Sequence, residues 1–312
     1  MQIAIINPPV PPGSLTNRDL MGAMGIDDNF GVGIGPRFIA TVKNEATQMP
    51  VLSLAYAAAI LKDHELSVHE LTRIPPDEPG LIKTIADLDP DWIICATSFA
   101  FLGTELRFLQ ALKDACGAKR LLLGYSATHF AETILTQRLA EAIASGDPEI
   151  AVQHLAEETM IPGTPGILMA GENSKPVPAL PSYVEDLDAL PFPDWELFDR
   201  DSYRYFPLLK RQPFLTALSS RGCPYTCSFC PYPISQGRQF RGRSPEKVAE
   251  ELKFLADRYG IRSLLFRDPI LTFNKERVRA LCAALKERHL DLDWGIETRL
   301  DCMDEFSVSS RS

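Results

Sequence analysis

A chain of 312 residues, 45% hydrophobic and 23% charged, is long enough for two domains and apolar enough to bury a sizeable core in each. Its formal charge of −9 argues against general affinity for nucleic-acid phosphate or an anionic membrane surface. No stretch is long and apolar enough to cross a bilayer, and residues 1–10 lack the basic flank and apolar length of a secretory signal, so a cytoplasmic location is expected.

The first half alternates apolar runs with helical patterns. Gln2–Asn7 reads as a strand ended by Asn7-Pro8-Pro9, and a long glycine- and proline-rich loop follows as far as Pro36. Residues 52–62 predict a helix with apolar residues all round, hence well buried. Strands are expected at 66–71, Trp92–Ala96 and 120–123, with a weaker fifth at 142–145. Helices are expected at 81–88 and 104–115, the latter carrying Leu106, Leu109, Leu112 and Ala115 at helical spacing. Such alternation predicts a parallel sheet with helices on both faces and right-handed crossovers. Prolines then recur at Pro162, Pro165, Pro176, Pro178, Pro181, Pro191 and Pro193. The expected division is a first domain at 1–160, a proline-rich linker at 161–210 with a small hairpin near 167–176, and a second domain at 211–312. The pattern restarts with a strand at 214–219. The helix Pro245–Tyr259 has Ser244 as its N-cap and Gly260 as its stop. A strand at 261–266, a helix at 275–288 and a strand at 292–297 follow, and then a polar, serine-rich tail.

Seven cysteines are an odd number, with Cys95, Cys116, Cys282 and Cys302 scattered, which is no disulfide framework for a chain of this size. The other three stand close together in Arg221-Gly222-Cys223-Pro224-Tyr225-Thr226-Cys227-Ser228-Phe229-Cys230, a C-x3-C-x2-C spacing. Thiolates suit iron–sulfur clusters. Three of them ligate three irons of a [4Fe–4S] cube and leave the fourth open, and an open iron can chelate the amino and carboxylate groups of S-adenosylmethionine. The alternatives are a zinc site, which usually wants four ligands arriving as two separated pairs, or three buried cysteines. No nearby histidine or fourth cysteine in the sequence completes a zinc set.

With that motif placed after a strand, the sequence resembles the radical S-adenosylmethionine superfamily, whose signature is C-x3-C-x-aromatic-C after the first strand of a (β/α) barrel. The resemblance continues into Arg243-Ser244-Pro245-Glu246-Lys247 at the start of the next helix. It implies that Cys223, Cys227 and Cys230 hold the cluster and that Phe229 packs near the adenine. Barrel sites lie at the C-terminal ends of strands, so Asp268, Glu297 and Arg299 become candidates for the methionine and ribose parts of the ligand. Each could equally be surface charge or part of a structural ion pair.

An open α/β sheet binds ligands at the C-terminal ends of its strands near a topological switch point. The residues there are Asn7 and Pro8, Thr97 and Ser98, Gly124, and Gly146, Asp147 and Glu149. Taken alone they are ordinary strand endings. Together with the downstream cysteines, this half resembles the cobalamin-binding domain of the B12-dependent radical S-adenosylmethionine subfamily, and Asp188-Ala189-Leu190-Pro191-Phe192-Pro193 resembles the joint between its two domains. The fold expected is therefore α/β: a flavodoxin-like or Rossmann-like parallel sheet of cobalamin-binding type, followed by a partial (β/α) radical S-adenosylmethionine barrel. The D-x-H-x-x-G motif of other cobalamin enzymes is absent. The resemblance then implies cobalt bound without a protein histidine, with His129 either lining the site or lying on the surface. The loop after the fourth strand also departs from the usual double glycine, because Tyr125 and Ser126 follow Gly124.

The cofactors so implied are a [4Fe–4S] cluster, S-adenosylmethionine and cobalamin, and the reaction is methyl transfer to an unactivated carbon. In that mechanism one S-adenosylmethionine methylates reduced cobalamin. A second is cleaved to a 5′-deoxyadenosyl radical, which takes hydrogen from the substrate carbon before methyl is delivered. Expected partners are a small-molecule substrate and an electron donor such as flavodoxin or ferredoxin, with neither nucleic acid nor membrane. A cobalamin-containing cyclase or rearrangement enzyme, a cofactor-binding chain without turnover and a zinc-binding regulator are the rivals. At most three β/α units are countable, about half a barrel, so the barrel looks cut short.

Overall fold

The computed structural model describes residues 1–11, 14, 16–19, 26–27, 47–171, 175–205 and 208–303. Most of the expected long loop and of the serine-rich tail lies outside them. The chain divides into two compact units. One comprises residues 1–45, 51–184 and 193–199, the other 46–50, 185–192 and 200–312.

The first unit is built on β1 (Gln2–Asn7), α1 (Leu52–Ile60), β2 (Glu65–Glu70), α2 (Leu81–Ala86), β3 (Trp92–Ala96), α3 (Leu102–Ala115), β4 (Lys119–Leu123), α4 (Tyr125–His129), α5 (Ala131–Thr136), β5 (Ala142–Ala144), α6 (Pro148–Ala156) and β6 (Ile167–Met169). The strands form one sheet in the order β2-β1-β3-β4-β5-β6. Its first five strands have the flavodoxin-like order, which places a switch point between β1 and β3. In β1, Ile3, Ala4, Ile5 and Ile6 are wholly buried, as expected of a parallel strand covered on both faces. The edge strand β2 is only half-buried and correspondingly polar. Pleating sends Ala4, Ile6, Ile93, Cys95, Leu122 and Ile143 to one face. There they pack with Ile85 of α2, Phe108, Leu109 and Leu112 of α3, and Ile134 of α5. Alternate residues point to the other face.

Two expectations are corrected here. The stretch 161–210 is not one linker. Ile167, Leu168 and Met169 pair antiparallel with Ala144, Ile143 and Ala142, extending the sheet by an edge strand. Three successive apolar residues between Gly166 and Gly171 supply that strand, and just past it Ala170 forms an antiparallel bridge with Pro176, in line with the small hairpin expected near 167–176. Further on, Trp195 is wholly buried and stands edge-on to Phe198, 5.2 Å between ring centres, so residues 193–199 belong to the core of the first unit. The second correction concerns the loops after β4 and β5, which become helices almost at once. In α6, Asp147 stands at the N-cap position without a side-chain cap bond, Pro148 takes the first helical position and Glu149 the first turn, a start that the sequence carries openly.

The second unit contains β7 (Phe214–Ala217), α7 (Tyr232–Ser235), α8 (Pro245–Tyr259), β8 (Ser263–Phe266), α9 (Lys275–Glu287) and β9 (Asp293–Gly295). Its strands form a parallel sheet in the order β7-β8-β9, the three β/α units read from the sequence. Ser244 caps α8 by accepting the Lys247 N–H at 3.3 Å, and Gly260 ends it at φ 65°. Asp188 accepts the backbone N–H of Ser244 at 3.0 Å, and Phe192 lies under the Lys247 ammonium and beside Phe254. The Asp-Ala-Leu-Pro-Phe segment is thus tied to the start of α8. Among the described residues no helix is long and apolar enough to cross a membrane.

Candidate functional site

The cysteine loop leaves β7 through Ser220–Arg221, which pairs antiparallel with Arg241–Gly242. Gly222 has φ 78°, and a Cβ there would stand 1.9 Å from the Gln239 carbonyl oxygen, so only glycine fits where the two passes cross. The Cys223 N–H donates to the Gly237 carbonyl at 3.1 Å, and the Cys230 N–H to the Cys227 carbonyl at 3.2 Å. These bonds fold the loop back on itself and bring the cysteines together.

All three thiols are free of disulfides. Cys223 is buried and packs in a small cluster with Tyr232, Ile270 and Cys302, against which Tyr225 and Cys230 rest. Burial pushes the Cys223 thiol up. The neighbouring Cys230 and Cys227 add to this, while the Tyr225 backbone and the Arg299 charge oppose it. Arg299 also donates to the Cys227 sulfur at 3.2 Å. Among the described residues no three His, Cys, Asp or Glu side chains are gathered as for a single metal ion. A zinc ion draws its sulfurs in to about 2.3 Å each, whereas a four-iron cube takes one thiolate per iron and spaces them more widely. Three unoxidised thiols on one loop, with a cation against one sulfur, fit an iron–sulfur cluster.

The remaining barrel candidates divide. Phe229 is 82% exposed, so its ring is open to a ligand. Glu297 pairs with Arg267 and accepts from the Tyr232 hydroxyl at 3.4 Å, beside the cysteine cluster. Burial pushes that hydroxyl up. Asp268, in contrast, is wholly buried. It accepts from the Ser219 N–H at 2.8 Å and from the hydroxyls of Ser219 and Ser220. Burial raises its carboxyl despite these bonds. It anchors the turn between β7 and the cysteines and presents no free oxygen to a ligand. Sequence reasoning missed Tyr232, Arg267 and Cys302, which carry no motif. Tyr225, whose hydroxyl lies 3.3 Å from the Cys302 sulfur, lay inside the motif unremarked.

At the C-terminal edge of the first sheet, several expected cofactor contacts are already engaged. Asn7 accepts from Arg18 at 2.6 Å, and Pro8 is buried beside it. The Thr97 hydroxyl donates to the Leu123 carbonyl and accepts from Ser126. Ser98 gives both its N–H and its hydroxyl to Glu105, which also pairs with the buried Arg18 at 2.9 Å. Asp147 accepts the Val184 N–H at 2.9 Å, and Glu149 is buried. Gly146, at φ 96°, passes so close to Ser182 that a Cβ would meet its carbonyl oxygen at 2.0 Å. Gly124, at φ 109°, turns the chain from β4 into α4. These residues shape the loops more than they offer side chains. What the sheet top does present is an aromatic group of which the sequence reading considered only His129 for the site. Phe99, Tyr125 and Phe130 surround His129 with ring centres 4.9–6.1 Å apart, and Phe130 is 40% exposed. A large planar cofactor fits such a surface through backbone and ring contacts.

The fold defined by these two units is that of cobalamin-dependent S-adenosylmethionine radical enzymes. OxsB, solved with aqua-cobalamin and S-adenosylmethionine bound, superposes over 100% of this chain and 40% of its own, with a TM-score of 0.69 at 15% identity. TsrM from Kitasatospora setae, a radical S-adenosylmethionine methyltransferase solved with cobalamin and a [4Fe–4S] cluster, superposes over 93% of this chain and 52% of its own, with a TM-score of 0.60 at 17% identity.

No family model matches the sequence, but individual relatives do. An uncharacterized methyltransferase of Pyrococcus horikoshii is 26% identical over 267 residues, 83% of this chain and 57% of the relative. The anaerobic magnesium-protoporphyrin IX monomethyl ester cyclase of Rubrivivax gelatinosus is 36% identical over 240 residues, 72% of this chain and 41% of the cyclase. The chain thus spans about half the length of the curated relatives it matches.

Proposed function

We propose that this chain is the cofactor-binding part of a cobalamin-dependent radical S-adenosylmethionine enzyme that transfers a methyl group to an unactivated carbon of a small molecule. The observation that carries this reading is the loop after β7. It presents Cys223, Cys227 and Cys230 as free thiols at C-x3-C-x2-C spacing, at the C-terminal end of a barrel strand where such folds do their chemistry. When bound, the cluster supplies the electron that splits the sulfonium C–S bond of S-adenosylmethionine, and cobalamin supplies the methyl carrier.

The chain's own residues orient and enclose. Gly222 and the Ser220–Arg221 pairing hold the three sulfurs on one loop. Asp268 fixes the approach to that loop from beneath. Phe229 offers an exposed ring for an adenine to lie against. Glu297, held by Arg267 and Tyr232, sets a carboxylate beside the cysteines, where it can accept hydrogen bonds from a ribose or an amino group. At the first sheet, the bends at Gly124 and Gly146 and the rings around His129 provide the surface for a corrin. Electrons would come from a small redox protein of flavodoxin or ferredoxin type.

Anaerobic reconstitution followed by iron, sulfide and cobalt counting tests the reading. About four irons and one cobalt per chain are expected, with 5′-deoxyadenosine formed on reduction. Replacing any of the three cysteines by alanine should abolish both the brown chromophore and adenosyl scission. Zinc without iron would overturn the proposal. A second reading, radical cyclisation, is favoured by the 36% identity to the protoporphyrin ester cyclase. A labelled methyl donor separates the two, because label reaches the product only in methylation.

A further inference from the structure

Arg299 follows β9, and three of its five N–H donors have partners among the described residues. Nε and Nη2 form two parallel bonds to the Asp301 carboxylate at 2.9 and 2.7 Å. The face of the cation lies over the Tyr225 ring, 4.2 Å from its centre. The remaining nitrogen, Nη1, donates to the Cys227 sulfur at 3.2 Å. The Nε/Nη2 edge, one that grips a carboxylate with two bonds, is therefore spent on Asp301. One further N–H, on Nη1, is directed at sulfur, and the group is held in place by an ion pair on one side and an aromatic ring on the other.

Hydrogen bonds to ligating sulfurs and the net charge around a cluster set its reduction potential. A donor that stabilises the more negative, reduced state raises that potential. Arginine keeps its charge at every accessible pH, so the donor is permanent. We propose that Arg299 is a positioning residue for the cluster: through the Cys227 sulfur it raises the reduction potential and fixes that ligand's orientation, and it does not serve as a ligand for the amino-acid end of S-adenosylmethionine. This rests on the reading that Cys227 is a cluster ligand.

The test compares the reconstituted wild type with Arg299→Met, which keeps the length and removes the donor, and with Arg299→Lys, which keeps the charge and loses the planar fork. Iron and sulfide are counted in each, the midpoint potential is read by redox titration followed by electron paramagnetic resonance, and S-adenosylmethionine affinity is measured by equilibrium binding. The expected result for Arg299→Met is wild-type iron and sulfide, a midpoint potential shifted to more negative values and an affinity within about threefold of wild type, with Arg299→Lys intermediate in potential. If Arg299→Met fails to assemble the cluster, Asp301→Asn decides. It retains the donor and drops the countercharge, so the potential must move positive. An intact cluster with unchanged potential would overturn the inference, as would a tenfold or greater loss of affinity with the potential unmoved. A wild-type chain that takes up no iron would overturn the underlying cluster reading as well, so the two failures are distinguishable.

Discussion

The carboxylate of Asp268 follows β8, where barrel enzymes often place ligand contacts, yet it is taken up by the Ser219 N–H and the hydroxyls of Ser219 and Ser220. Asp268→Ala would leave the Ser219 N–H and two hydroxyls buried without their acceptor, at about 1–3 kcal/mol for each donor that finds no substitute. Urea unfolding should show that loss in the second unit. Unchanged stability would mean that the carboxylate holds nothing. The contrast with the cysteines explains what the sequence could convey. Three thiols at fixed spacing declare their chemistry locally, because the spacing itself sets the ligand geometry. Asp268, Thr97 and Asp147 are polar residues at strand ends, and whether such a residue faces a ligand or a neighbouring turn depends on a partner many positions away. For Asp268 that partner is 49 residues off, and for Asp147 it is 37.

The helix α8 was legible end to end, from Ser244 to Gly260, because its cap and stop lie in the adjacent sequence. The buried pair that it brings into the core was not. Glu251 lies one to two turns into the helix, wholly buried, and accepts from Arg243 at 2.7 Å. Its second oxygen, Oε1, accepts no hydrogen bond from the described residues. Burial raises its carboxyl, and the Arg243 charge only partly offsets this. A carboxyl raised in the folded chain holds its proton more tightly there than in the unfolded chain. Between the ordinary carboxylate range and the raised value, unfolding therefore releases a proton. The stability contributed by Glu251 should fall as pH rises through that window and stay at the lower level above it. Glu251→Gln removes the titration and keeps an acceptor for Arg243. The stability of wild type minus that of Glu251→Gln, measured by urea unfolding across the carboxylate range and above, should decline with rising pH. A rising difference would show that the ion pair, not burial, governs this group. The unread helices α4 to α6 failed for another reason. α4 and α6 begin within four residues of the ends of β4 and β5, and α5 follows α4 almost directly, so the polar strand endings that look like loops serve also as helix starts.

Each unit has its own core, and the candidate cofactor surfaces fall one in each: the cysteine loop in the second, the edge beside Gly124, Gly146 and His129 in the first. The sequence conveyed this two-part arrangement through its restart of alternating strands and helices after the proline-rich stretch. It misplaced the boundary, because Trp195 and Phe198, inside the expected linker, belong to the first unit. If the two surfaces act as proposed, the cofactors should be separable by substitution. Cys223→Ala removes one iron ligand in the second unit, so it should lose iron and keep close to one cobalt per chain. Leu109→Ala opens a cavity among Leu112, Ile93 and Phe108 in the first unit, at a cost of about 2–5 kcal/mol. It should weaken cobalamin retention on warming while iron and sulfide counts hold. Metal analysis of both variants after gel filtration reads the outcome directly. Cobalt lost in step with iron in Cys223→Ala would mean that cobalamin is held by the cluster-bearing unit or by a surface formed only when the cluster is present, and the assignment of the first sheet as its binding surface would then fall.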